Sequence, residues 1–163
     1  GFLDVVADRK KYPKIKILSD SEHIDSSVQK AKQVSESLLG KFGKEIKGVF
    51  TVCEPNNKGM YLALQQYVHN KDNNAKPGDI KFVGFDSDPR MIEGLQNGMV
   101  QGLVLQNPVN MGYVAVKTMV AHLDGKTVEK RIPTGEEIAL PEHLKKDHKD
   151  YAKFQELLKP KRL

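Results

Sequence analysis

The stretch KFVGFDSDPRMIEG, Lys81 to Gly94, decides how the rest of the chain is read. It opens as an apolar run, turns acidic at Asp86, and then reads as the start of a helix. Ser87 and Asp88 are both good N-cap residues, and Asp88 directly precedes Pro89, which suits a first helical turn. The helix therefore does not need Asp86. A carboxylate at a strand end, with its capping role open to its neighbours, is a candidate ligand contact.

The same strand-then-helix pattern extends in both directions. IKGVFTV, from Ile46, is β-branched and nearly continuous, which predicts a strand buried on both faces. EPNNKGMYLALQQYVHN comes next as a helix with Pro55 in its first turn. Downstream, a helix closes at Asn97-Gly98, VQGLVLQ predicts a strand, and NPVNMGYVAVKTMVAHLDGK predicts a helix ending at Gly125. Upstream, GFLDVVADRKKY reads as a short amphipathic helix. KIKILSD alternates and reads as a strand. DSSVQKAKQVSESLLGKFG reads as a helix with Asp25 as N-cap. VEKRIPTGEEIAL reads as extended, interrupted by Pro133, and PEHLKKDHKDYAKFQELLK as helical again. Met91, Met99, Met111 and Met119 read as core filler at helical spacing. Strands alternating with helices of these lengths predict βαβ units around a parallel sheet, an α/β fold. The alternation stops between Lys126 and Gly135.

The 163 residues suffice for one globular, water-soluble domain of ordinary size. No run approaches the ~18 apolar residues that would span a bilayer. The single cysteine, Cys53, excludes an internal disulfide framework and a Cys-rich zinc site. The formal charge of +5 is concentrated late: from Pro141 onward there are seven Lys/Arg against four Asp/Glu. Aromatics are few and no nucleic-acid signature accompanies the lysines, so the tail reads as a solvated basic helix with no nucleic acid as partner. The five histidines share no spacing and read as surface positions, with no metal implied.

In open α/β sheets ligands gather at the carboxyl ends of the strands. Here three strand ends carry polar groups: Cys53-Glu54, Asp86, and Gln106-Asn107. Parallel neighbours lie ~5 Å apart, so these groups can converge on one small polar ligand. A carboxylate accepts from two adjacent hydroxyls, and a charged acceptor makes the stronger bond. The rim carries no nucleophile elbow, phosphate loop or metal-spaced His pair. A binding site for a hydroxylated neutral ligand is expected, with no enzymatic activity and no cofactor.

GVFTVCEPNNKGMYLAL, IKFVGFDSDP and VQGLVLQNPVNMGYVAVKTMVAHLDGK together resemble the second lobe of periplasmic sugar-binding proteins of the ribose-binding type, solute-binding components of ABC transporters. The resemblance runs from about Gly1 to Pro133. It implies a three-layer, doubly wound parallel sheet with helices on both faces, forming one lobe of a two-lobe protein. It divides the chain into a sugar-binding lobe, residues 1–133, and a C-terminal extension with a basic helix, residues 134–163. By the same likeness Asp86 and Gln106 match sugar contacts, Glu54 falls on an acidic position, and Cys53 replaces the family's usual sugar-binding Asn. A thiol is a poor hydrogen-bond partner beside a carboxamide, a departure from the pattern behind ribose specificity.

The resemblance also implies a monosaccharide ligand, a membrane permease partner, and a periplasmic or lipoprotein-anchored location after removal of a signal peptide. Family members run to about twice this length. The chain then lacks the first lobe and the first, normally central, strand of this lobe, which leaves open edges and makes strand exchange between copies an alternative. The competing function is the effector lobe of a sugar-responsive transcription repressor, which shares this fold. A helix-turn-helix upstream would mark the repressor, and a signal peptide the transporter.

Overall fold

A computed structural model describes residues 2–159. Lys161 and Arg162 of the basic tail lie outside the described residues. The architecture is α/β. Four strands lie in the order β1 (Gly48–Phe50), β2 (Lys81–Phe85), β3 (Gly102–Gln106), β4 (Glu136–Ala139). The first three are parallel, with Val49 opposite Phe82 and Val83 opposite Gly102. β4 runs antiparallel to β3, with Leu103 opposite Ala139, so the sheet is parallel-dominated rather than uniformly parallel. The helices are α1 (Phe2–Val6), α2 (Val28–Phe42), α3 (Glu54–His69), α4 (Pro89–Asn97), α5 (Pro108–Leu123) and α6 (Tyr151–Leu157). Among the described residues no helix is long and apolar enough to cross a membrane.

The core forms where period 2 meets period 3.6. Phe82 and Gly84 turn to one face of β2, and α3 and α4 bring Tyr61, Leu64, Met91 and Leu95 against that face. Phe82, Met91 and Leu103 are fully buried. α2 packs on α3 at a close crossing: a β-carbon on Gly59 would lie 2.4 Å from the Ala31 β-carbon and 2.6 Å from the Lys32 backbone nitrogen. On the opposite face Phe2 of α1 stacks on Phe50, ring centroids 4.6 Å apart. Residues 134–163, expected as an extension, contribute β4 and α6, and Ala139, Phe154 and Leu158 lie in this same core.

Several elements differ from the sequence reading, each for a local physical reason. KIKILSD forms no strand: no described strand lies beside it, so its backbone has no ladder partner, and the Ile15 N–H turns back to the Tyr12 carbonyl at 3.2 Å. α2 is capped by Ser27, whose hydroxyl accepts from the Lys30 N–H, while Asp25 pairs with the Lys30 ammonium at 2.6 Å. The C-terminal helix is broken into a turn over Pro141–Leu144 and the short α6. There the Leu140 N–H donates to His143 Nδ1 and the Asp150 N–H to His148 Nδ1, side-chain bonds that compete with helix continuation. Met91 and Met99 are core residues, but Met111 and Met119 are exposed. They lie on α5, which buries no residue and turns Val109, Tyr113, Val116, Val120 and Leu123 outward.

Candidate functional site

Because β1, β2 and β3 are parallel and adjacent, their carboxyl ends form one rim. All four residues singled out from the sequence lie along it: Cys53 and Glu54 after β1, Asp86 after β2, and Gln106 as the last residue of β3.

The β2 junction is the most informative. Asp88 caps α4, its carboxylate accepting the Arg90 N–H at 2.9 Å. Asp86 therefore carries no capping duty. Its φ is +64°, the left-handed region that few residues other than Gly, Asn and Asp tolerate. Its N–H donates to the Val104 carbonyl at 2.8 Å, tying the turn to β3. Backbone in such a region persists only when its surroundings hold it there, and it concentrates at functional sites.

Burial, and after it the nearby charge of Glu54, raises the Asp86 carboxyl above its ordinary value. The folded protein then holds this proton more tightly than the unfolded chain, so ionisation costs stability. Stability rises as pH falls through the raised native pKa toward the unfolded value, and the cost is present in full above the native pKa. Asn keeps the side-chain shape and tolerates the same φ without ionising. The variant Asp86→Asn is therefore expected to melt above the wild type at neutral pH. The gain is at most about 1 kcal/mol, because the group keeps access to water, or ~2–4 °C for a domain of this size. The advantage disappears in acid. Thermal scans across pH check this, and an equal or lower Tm at neutral pH overturns the electrostatic assignment.

The other junctions obey the same logic. Asn107 caps α5 by accepting the Asn110 N–H at 3.1 Å, so that helix does not call on Gln106, which is half-buried and sits opposite Glu136. Cys53 occupies the N-cap position of α3 but its half-buried thiol makes no capping bond. Glu54 is the first residue of α3, exposed, and ion-paired to Lys58 one turn on. Its carboxylate at a helix N-terminus suits the dipole.

Two groupings were not read from the sequence. Asn57 is fully buried at the rim, bonded to Thr51 and to both polar groups of Phe85. Its signal in the sequence was Gly84: a β-carbon there would lie 2.9 Å from Asn57 Oδ1, so the strand glycine makes room for the amide. His143, His148 and Asp150 bring potential ligand atoms within 4.8 Å of one another. Both Nδ1 atoms accept backbone N–H groups, so their lone pairs are already used in shaping the chain. This arrangement builds a turn rather than a metal centre.

A family model described as a periplasmic binding protein domain matches residues 1–127. Among curated proteins no match is found. Among solved structures, the chain is similar to a carbohydrate transporter solute binding protein from Agrobacterium radiobacter, in complex with D-arabinose. The identity is 29% over 96% of this chain and 48% of that one, with a TM-score of 0.74. It is also similar to a glucose-galactose binding protein from Geobacillus stearothermophilus, 25% identical over 87% of this chain and 46% of that one, TM-score 0.69. A galactofuranose binding protein matches at 28% identity over 84% of this chain and 45% of its own, TM-score 0.65. The chain spans about half the length of each of these structures.

Proposed function

The chain belongs to the periplasmic binding protein domain family, and from that premise we propose that it is the second lobe of a protein that closes by a hinge on a monosaccharide and presents it to an ABC-type membrane permease. The family and its solved neighbours are binding proteins, not enzymes. In this reading the protein works outside the cytoplasm, in the periplasm or tethered by a lipid anchor. Asp86 accepts hydrogen bonds from two sugar hydroxyls and Gln106 from, or donates to, a third. Cys53 and Glu54 border the ligand, with the thiol as a compact wall where a carboxamide would otherwise reach the sugar.

One observation carries the reading. Asp86 is a partly buried carboxylate with positive φ at the sheet rim, in a helix-start motif that Asp88 already caps. The positive φ suits an aspartate, but the carboxylate itself caps no helix. The apolar residues of α5 face outward without cover from the described residues.

The test is a thermal-shift screen of pentoses and hexoses against the full-length two-lobed protein. Ligand binding to the native state must raise stability, by about 2.7 kcal/mol at a hundredfold excess over Kd. A saturable Tm rise of several degrees with at least one aldose or ketose is expected. No stabilisation by any sugar in the panel overturns the proposal.

A further inference from the structure

We propose that Asn57 is a positioning residue for the sugar site, a single buried amide that fixes the backbone at Asp86 and thereby the direction of its carboxylate. The inference rests on the sugar-site reading above and adds a residue that makes no contact with ligand.

The geometry concerns one peptide unit, the one joining Phe85 to Asp86. Its carbonyl accepts from Asn57 Nδ2, and its N–H donates to the Val104 carbonyl at 2.8 Å. A peptide held at both ends cannot rotate about the chain direction. That peptide is one of the two planes whose relative rotation is the Asp86 φ of +64°, so the two bonds fix the direction in which the chain enters the residue. The preceding peptide is held by the same side chain, because the Phe85 N–H donates to Asn57 Oδ1 at 3.3 Å. The Thr51 hydroxyl donates to that oxygen at 2.5 Å. With Oδ1 taking two donors, Nδ2 must face the Phe85 carbonyl. The amide thus joins the end of β1, the end of β2 and, through one peptide, β3.

The chemistry required is narrow. The site needs one donor and one oxygen able to accept twice, at the reach of a single methylene from the α3 backbone. Aspartate lacks the donor, serine falls short, and an extra methylene has no room, because Gly84 is already the smallest residue possible beside the amide. Asn57 itself is anchored in the first turn of α3, its N–H donating to the Cys53 carbonyl at 3.0 Å.

The experiment is a double-mutant cycle on the full-length two-lobed protein, with sugar affinity measured by calorimetry and folding checked by thermal unfolding of the same samples. Asn57→Asp removes the donor to Phe85 while keeping size. It is expected to weaken binding at least fivefold when Asp86 is present and less than twofold in the Asp86→Ala background, since its action passes through Asp86. A general structural fault would weaken both backgrounds alike, and that outcome overturns the proposal. Unchanged affinity for Asn57→Asp, with Asp86→Ala strongly impaired, overturns it while leaving the sugar-site reading intact. Unchanged affinity for Asp86→Ala overturns both. Should Asn57→Asp not fold, Thr51→Val removes only the bond that orients the amide. A loss confined to the background with Asp86 supports the proposal, and no loss overturns it.

Discussion

Replacing Asp86 by Ala in the full-length protein lowers monosaccharide affinity at least tenfold, measured by calorimetry at neutral pH. A hydrogen bond to a charged acceptor contributes ~1.5–3 kcal/mol, and tenfold in affinity corresponds to ~1.4 kcal/mol. Loss of even one of two such bonds therefore reaches the threshold. The variant should remain folded, because α4 keeps its Asp88 cap and the chain at residue 86 still donates to Val104. Alanine at φ +64° costs about 1 kcal/mol, which offsets the relief of a partly buried carboxylate near Glu54, so a Tm close to that of the wild type should accompany the weakened binding. Unchanged affinity would remove Asp86 from the site.

The second large effect concerns stability. Gly59→Ala is expected to destabilise the protein by about 1–3 kcal/mol through overpacking, seen as a lower midpoint in urea or heat. The new methyl would meet the Ala31 β-carbon at 2.4 Å and the backbone of α2 at 2.6 and 2.7 Å, and main chain cannot swing aside as a long side chain can. Two helices would have to part across their whole contact. Gly40→Ala, on α2 with nothing within 4 Å of its new methyl, supplies the contrast. There the only change is helix propensity, a gain of roughly 0.5–1 kcal/mol. If Gly59→Ala stabilises like Gly40→Ala, the close crossing of α2 and α3 is wrong.

What the sequence conveyed and what it concealed have separate physical origins. β2, α4, β3 and α5 were legible because each is bounded by local chemistry: apolar runs, prolines in first turns, Asn97-Gly98 at a helix end. That Asp86 is spared the capping role was legible for the same reason, since Asp88 beside Pro89 takes it. KIKILSD misled because alternation reports which faces a strand would have, not whether a neighbour is there to bond it. The break after Pro141 was hidden because His143 and His148 act as backbone acceptors, a role that spacing does not announce. Met111 and Met119 looked like core, since periodicity gives the apolar side of α5 without giving what it meets. Asn57 was the deepest omission. Its partner Phe85 is 28 residues away, and no local pattern joins an amide in a helix to a glycine in a later strand.

The antiparallel β4 has a bearing on how the protein is made. Leu103 waits for Ala139 to pair with it, and the core that holds Phe82 and Leu103 is finished only by Phe154 and Leu158. Synthesis delivers residues in order, yet here the middle of the chain is sealed by side chains that emerge much later. Until β4 emerges, one edge of β3 lacks its partner and the core lacks the side chains that close it. The last residues of the described chain are therefore a condition of the sheet's closure rather than an appendage to it.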